Sequence, residues 1–266
     1  MINVTKKSAL AIAIGTIFGF TALNATAAVV PDGVKLADKQ ELVRNNGSEP
    51  QSLDPHKIEG VPESALARDL FEGITIVGPD GEILPGSATS WENKDFTVWT
   101  FKIREDAKWS NGDPVTAQDF VYSWQRLADP NTASPYESYL QYAHIVNIDD
   151  IIAGKKKPTE LGVKALDNNT LEITLSEAVP YLPKLLAHSS MSPVNQKVIE
   201  KFGEKWTQPA NFVGNGAYVL KNWTVNERIE LERSPTYWDN KNTVINKVTF
   251  LPISSEVTDV NRYRAG

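Results

Sequence analysis

The sequence predicts a mixed α/β fold with more than one lobe. Residues 96–103 alternate strictly between two faces, which is typical of a strand with at least one buried face. A turn-forming Ser-Asn-Gly-Asp-Pro stretch follows, and Thr116 with Asp119 then forms a capping box at the start of a helix with a buried apolar stripe. The 266-residue chain has 41% hydrophobic residues and seven tryptophans, which is enough apolar material for more than one core.

The other strands are indicated by apolar runs bounded by turn residues. Pro-Asp-Gly and Asn-Asn dipeptides between such runs are typical of hairpins. The predicted strands and hairpins occupy residues 41–46 (strand), 74–86 and 163–175 (hairpins), 217–223 with 228–234 (a strand pair), and 245–253 (strand).

The other helices are predicted where apolar residues recur between a start and a stop signal. Pro62 stands near the start of the first of them, and Gly73 is expected to close it. These helices cover residues 63–72, 148–153, 181–187, 193–202 and 254–265. The Gly214-Asn215-Gly216 stretch lacks the third glycine of a phosphate-binding loop and precedes a strand, so we interpret it as a tight turn.

The amino-terminal segment is typical of a cleaved signal peptide. Lys6 and Lys7 precede an uncharged, largely apolar run over residues 8–23, and Ala25-Thr26-Ala27 supplies the small residues of a cleavage site. A membrane anchor is the alternative, but the run is short for one and ends in small polar residues. We expect residues 1–27 to be removed after Ala27, which changes the formal charge from -6 to -8 because two lysines are lost.

Composition excludes several classes of protein. The chain has no cysteine, so an exported form has no disulfide, no thiol metal site and no lipid-modified cysteine. A pI near 5.2 argues against binding to nucleic acid or to an anionic membrane surface. Free solution in a periplasm is therefore the expected location.

The region of residues 95–119 resembles a known family. Its strand, the Lys-Trp-Ser-Asn-Gly-Asp-Pro-Val-Thr turn and the Asp-Phe-Val helix are similar to the signature of the extracellular solute-binding proteins that carry peptides to ABC importers. Residues 44–63, 121–142, 205–218 and 236–256 read like the oligopeptide-binding members of that family. The resemblance covers essentially every residue after the first few dozen.

The resemblance implies a periplasmic-binding-protein-like bilobal fold. Lobe I would consist of residues 28–71 and 191–266, and lobe II, residues 72–190, would be inserted between them. Family members continue into a third lobe that this sequence lacks, so we expect a fragment whose own peptide binding is weak or absent. The implied ligands are short peptides and the implied partner is an ABC permease complex in the inner membrane. We expect a monomer without cofactor or metal.

The candidate site residues are Glu59, Gly60, Val61 and Tyr136. On the residues alone, the first three form a solvated loop at a helix entry, although Gly60 permits close approach and Val61 offers main-chain groups to an extended ligand. Glu59 adds a carboxylate suited to a cationic group. Tyr136 alone would be a boundary tyrosine packed under a loop. The resemblance implies that all four contact the ligand.

Rival functions receive less support from the sequence. No Gly-x-Ser-x-Gly elbow is present, His56, His144 and His188 stand in unrelated contexts, and no His or Cys spacing fits zinc. Three hypotheses are kept: an oligopeptide-binding component of an ABC importer, a binding protein for murein tripeptide, and an exported hydrolase. The hydrolase would need a base within hydrogen-bond reach of a serine.

Overall fold

The computed structural model describes residue 30 and residues 32–266, so the predicted signal peptide lies outside the described residues. The strands are β1 Glu41–Asn45, β2 Thr75–Val77, β3 Ile83–Pro85, β4 Ala88–Lys94, β5 Val98–Ile103, β6 Val163–Asp167, β7 Thr170–Thr174, β8 Tyr218–Thr224, β9 Arg228–Arg233 and β10 Lys247–Leu251. The α-helices are α1 Val61–Leu70, α2 Ala117–Ala128, α3 Ser138–Tyr142, α4 Ile148–Ile152, α5 Leu182–Leu185, α6 Gln196–Phe202 and α7 Glu256–Arg264. None of these helices, which lie in the described part of the chain, has the length and apolar character needed to span a membrane.

The strands form two larger sheets and a short hairpin among the described residues. One sheet has the order β1-β10-β9-β8, in which β1 runs parallel to β10 and the other neighbours are antiparallel. The other sheet has the order β4-β5-β7-β6 and is antiparallel throughout. β2 and β3 pair separately. The parallel pair brings strands from opposite ends of the described chain into one sheet.

The alternation that predicts β5 is confirmed over the strand itself. Trp99, Phe101 and Ile103 are buried, and their neighbours on the other face are more exposed. Phe96 is the exception to the predicted strand, because its φ of 56° places it in the turn before β5. The predicted alternation therefore begins two residues too early.

The capping contact predicted for α2 is present. The Asp119 carboxylate accepts hydrogen bonds from the backbone N–H of Thr116 at 2.7 Å and from its hydroxyl at 2.9 Å. The apolar stripe of the helix is buried, and Trp124 donates from Nε1 to the carbonyl of Met191 at 3.0 Å. α2 therefore packs on the β4-β5-β7-β6 sheet. It also contacts Met191, close to the point where the chain leaves cluster A.

Buried apolar side chains of the described residues fall into two clusters. Cluster A draws only on residues 74–191 and includes β5, α2 and β7. Cluster B draws on residues 53–71 and 194–250 and includes α1, β8, β9 and β10. The chain thus enters cluster A from cluster B near residue 72 and returns near residue 192.

Two local predictions differ from the structure. The first helix ends at Leu70, and Phe71 is already extended with its N–H on the carbonyl of Ala67, so Gly73 does not close it. The predicted tight turn is absent, since the structure has no turn at residues 214–216 and neither glycine has a positive φ. A Cβ on Gly216 would lie 2.5 Å from the carbonyl oxygen of Asp69, and one on Gly214 would lie 2.2 Å from that of Leu70. Close backbone approach therefore explains these glycines.

A buried polar network joins the two clusters. The guanidinium of Arg126, on α2, donates to both carboxylate oxygens of Asp54, at 3.0 and 2.6 Å. Because arginine only donates, Nδ1 of the completely buried His56 accepts from Arg126 at 2.8 Å, and Nε2 then donates to the carbonyl of Ser192 at 3.2 Å. Burial first, and the Arg126 charge second, lowers the pKa of His56 to about 4. His56 is therefore a neutral structural histidine.

The Arg126→Met variant is expected to destabilise the protein by about 3 kcal/mol or more, because it leaves the buried Asp54 carboxylate without its cation. Arg228→Met is the matched control, since Arg228 forms its ion pairs at the surface with 43% of its side chain exposed, and the expected loss is below about 1 kcal/mol. Urea unfolding measures both. Equal losses in the two variants would contradict the structural role of the network.

Candidate functional site

The predicted loop of Glu59, Gly60 and Val61 lies at the amino-terminal end of α1. Gly60 is the N-cap residue in extended conformation, with φ -107° and ψ 173°, and Pro62 stands in the first turn. The side chain of Val61 is 80% exposed. Its N–H belongs to the first helical turn, where amides lack intrahelical partners, and no other described residue accepts from it. The loop therefore offers an open main-chain donor to solvent.

Glu63, the third residue of α1, has a buried side chain that lies against this loop. It is 6% exposed, and its Oε1 accepts from the backbone N–H of Gln51 at 2.8 Å. A Cβ on Gly60 would lie 2.5 Å from Oε2 of the same carboxylate. A larger residue at position 60 would therefore require the end of the Glu63 side chain, which sequence reasoning did not single out, to shift.

Tyr136 contacts this loop from the other side. Its hydroxyl donates to the carbonyl of Glu59 at 3.1 Å, so the four predicted site residues lie together. The ring of Tyr136 packs against Tyr139 with centroids 5.6 Å apart and against His188 at 4.9 Å. Tyr139 in turn stacks on His188 at 4.3 Å. These two aromatic neighbours, absent from the sequence prediction, fix the position of Tyr136.

A cavity of about 830 Å³ lies beside α1, next to this aromatic group. Its wall combines apolar side chains with tyrosines and cations from α1, β2, α5 and the segments around residues 188 and 216. The lining comprises Ser64, Arg68, Phe71, Glu72, Gly73, Thr75, Ile76, Val77, Gly78, Tyr139, Tyr181, Lys184, Leu185, Ala187, His188, Ser189, Ser192, Gly216, Ala217 and Tyr237. A space of this volume is in the range of small-ligand sites.

Glu72 is a buried carboxyl group in the cavity wall. Its Oε1 accepts from the Tyr237 hydroxyl at 2.5 Å, and its Oε2 accepts from Trp238 Nε1 at 2.9 Å and from the Ser87 hydroxyl at 3.2 Å. The guanidinium of Arg104 lies 3.4 Å from the Trp238 ring centroid. Burial is the largest effect and raises the pKa of Glu72 to about 7, although the donors oppose it. Sequence reasoning missed Glu72, because its donors lie far along the chain.

One contact bears on the hydrolase hypothesis. Nδ1 of His188 lies 2.8 Å from the hydroxyl oxygen of Ser190, which is the distance a general base requires. Ser190 is, however, completely buried, and its backbone N–H donates to the same Nδ1 at 3.2 Å. The contact caps a local turn and does not present a nucleophile to a substrate.

The family model of the bacterial extracellular solute-binding proteins, family 5, matches residues 82–266. The chain belongs to that family. The match covers well over half of the sequence, including cluster A almost entirely and most of cluster B. The mixed α/β fold with the architecture of periplasmic binding proteins, expected from the sequence, is confirmed by solved structures of the same family.

Named relatives of this family 5 chain agree with this assignment. The periplasmic oligopeptide-binding protein OppA of Salmonella typhimurium is 72% identical over 266 residues, which are 100% of this chain and 49% of the relative. The periplasmic murein peptide-binding protein MppA of Escherichia coli is 51% identical over 240 residues, or 90% of this chain and 44% of the relative. The chain therefore spans about half the length of the curated relatives it matches.

Solved structures show the same relation. Haemophilus influenzae OppA in complex with the peptide RPPGFSPFR is 57% identical with a TM-score of 0.85, over 87% of this chain and 45% of that one. The unliganded open form of MppA is 50% identical with a TM-score of 0.86, over 89% of this chain and 46% of that one.

The pKa of Glu72 predicts a specific dependence of stability on pH. Because it rises from 4.5 to about 7 on folding, the folded protein binds more protons than the unfolded chain between these values, and the free energy of unfolding falls as pH rises through that window. Between pH 5 and pH 8 the wild-type protein should lose about 2–3 kcal/mol more than Glu72→Gln. Urea unfolding at both pH values measures this, and other groups cancel in the comparison. Parallel pH profiles would contradict the shift.

Proposed function

We propose that this chain carries the peptide-contacting loop of a periplasmic substrate-binding component of an ABC importer. The observation that carries the proposal is the open N–H of Val61, which lies on an exposed loop beside a cavity in a member of family 5. An extended peptide pairs its main chain with such a group by strand addition, which does not depend on the peptide sequence. Glu59 provides a carboxylate for a cationic end or side chain.

The proposed lobes follow the two clusters except at Met191, which lies in cluster A. Lobe I comprises residues 28–71 and 191–266, and lobe II comprises residues 72–190, which is supported by the separate buried cores and by the crossings near residues 72 and 192. Closure of the lobes on the peptide shifts the population toward the closed form that the permease recognises. The protein acts as a monomer, catalyses no reaction on the bound peptide and needs no cofactor.

Tyr136 is the proposed second contact. In this structure its hydroxyl donates to the carbonyl of Glu59. When a peptide binds, a carbonyl of the peptide accepts the hydrogen bond from this hydroxyl instead. A hydrogen bond of this kind contributes about 0.5–1.5 kcal/mol net. Micromolar affinity needs about 8 kcal/mol, so several main-chain bonds and charged groups act together. Roomy, water-containing pockets then accept different side chains at small cost.

Oligopeptides are favoured over murein peptide as ligands. The relative named for oligopeptides is 72% identical and the one named for murein peptide is 51% identical. Native mass spectrometry with an equimolar pool of di- to pentapeptides and murein tripeptide separates the two. Adducts at several peptide masses are expected. A single adduct at the murein tripeptide mass favours the alternative, and a bare chain at millimolar peptide would show that this chain alone does not suffice to bind either ligand.

The Val61→Pro variant tests the main-chain contact. Proline is favoured in the first turn of a helix and removes only the N–H there, so folding is retained while binding of trialanine weakens about threefold to tenfold, the contribution of one hydrogen bond. Val61→Ala is the matched control, because it keeps the N–H and should bind as the wild type does. NMR titration at millimolar peptide gives the Kd values. Equal affinities for Val61→Pro and Val61→Ala would exclude this donor.

A further inference from the structure

The segment between β9 and β10, residues 234–246, leaves its sheet and returns to it, and we call it the strap. The side chains of Tyr237 and Trp238, near its middle, reach the carboxyl group of Glu72, where the chain passes from cluster B to cluster A. We propose that the strap is a proton-controlled device, which stays docked on Glu72 while this carboxyl group is neutral and is released more readily when it ionises.

Polar contacts hold the docked strap. Neither Tyr237 nor Trp238 is among the side chains that form the two apolar clusters of the described residues. The Tyr237 hydroxyl and the Trp238 indole N–H both donate to the Glu72 carboxyl group, at 2.5 and 2.9 Å, and the guanidinium of Arg104 lies over the Trp238 ring. A segment with few buried apolar contacts opens locally at a lower free energy than global unfolding requires.

Glu72 has contacts that keep it in place when the strap leaves. The Asn215 side chain bonds both the N–H and the carbonyl of Glu72, at 3.0 and 2.9 Å, and the Ser87 hydroxyl donates to the carboxyl group at 3.2 Å. Neither residue belongs to the strap. Because Tyr237 and Glu72 both line the cavity beside α1, release of the strap exposes the carboxyl group to solvent from that cavity and removes part of the cavity wall.

Proton linkage determines the direction of the effect. Burial raises the pKa of Glu72 from 4.5 to about 7, although its hydrogen-bond donors oppose this. Exposure to solvent returns the pKa toward its ordinary value, so the released form loses a proton that the docked form keeps. The strap is therefore held most firmly below pH 4.5, is released more readily as the pH rises to about 7, and changes little above that.

The other charged and titratable groups around Glu72 are accounted for by comparison with a variant. The guanidinium of Arg104 stays positive over this range. Burial, and the Glu72 charge after it, raises the pKa of Tyr237, so its hydroxyl remains a donor. The remaining groups are Asp239 on the strap and the cavity-lining Arg68, Lys184 and His188. All of them are retained in Glu72→Gln, so the difference between this variant and the wild type isolates Glu72.

Hydrogen exchange of the Trp238 indole N–H tests the inference, because this N–H donates to Glu72 only while the strap is docked. NMR gives its protection, which is the ratio of its exchange rates in the unfolded and the folded 266-residue chain. Between pH 5 and pH 8 the protection is expected to fall by roughly 30-fold to 100-fold. The Trp124 indole N–H, which donates to the carbonyl of Met191, is the internal reference for global unfolding and should stay better protected at every pH.

Two glutamine variants locate the effect. Glu72→Gln has the shape of the neutral carboxyl group and does not titrate, so its Trp238 protection should be the same at pH 5 and pH 8. Glu232→Gln is the matched control, because this carboxylate on β9 is 52% exposed and pairs with Lys221 at 3.1 Å. That variant should keep the wild-type pH dependence.

Two results would overturn the inference. Equal protection of Trp238 and Trp124 at both pH values would mean that the strap opens only when the whole protein unfolds. A wild-type pH dependence that persists in Glu72→Gln would mean that another group is responsible. The first comparison uses the wild-type protein alone, so it decides the question even if a variant does not fold. Both are made without peptide and are independent of binding at the Val61 loop.

Discussion

The close contact between the carboxyl end of α1 and the segment of residues 214–216 holds the parts of this structure together. The N–H of Gly216 donates to the carbonyl of Leu70 at 3.0 Å, and the Asn215 side chain bonds both the N–H and the carbonyl of Glu72, at 3.0 and 2.9 Å. No side chain fits between these backbones. Because residue 72 is where the chain passes from cluster B to cluster A, this contact sets how the two cores lie beside one another.

α1 connects this close backbone contact to the candidate site. α1 begins at the Val61 loop and ends at Leu70, two residues before the Glu72 crossing, and its buried face belongs to cluster B. Tyr136 comes from the part of the chain that carries cluster A, and its hydroxyl donates to the carbonyl of Glu59, so the site loop contacts both parts of the chain. Buried polar groups at these junctions, Glu72 above all, are fully hydrogen-bonded, which makes their geometry specific as well as costly to disturb.

Local signals in the sequence predicted the elements better than the contacts between them. The alternation of β5 and the Thr116 capping box depend on residues that are close in sequence, so a single sequence is enough to predict them. The sequence predicts a turn at the glycines 214 and 216, because a sequence does not reveal which backbone lies against a glycine. The Glu72 network depends on Tyr237 and Trp238, which lie 165 and 166 residues away along the chain. The site loop is predicted to bind a ligand because it resembles a known family, since its residues alone favour an ordinary helix entry.

The measurement that tests the central claim most directly is amide hydrogen exchange at Val61, followed by NMR with and without a saturating short peptide. The account predicts that the Val61 N–H exchanges freely in the unliganded chain and becomes protected in proportion to peptide occupancy, because it then donates to the peptide main chain. Protection that appears elsewhere in the chain while the Val61 amide continues to exchange freely would contradict main-chain recognition at this loop.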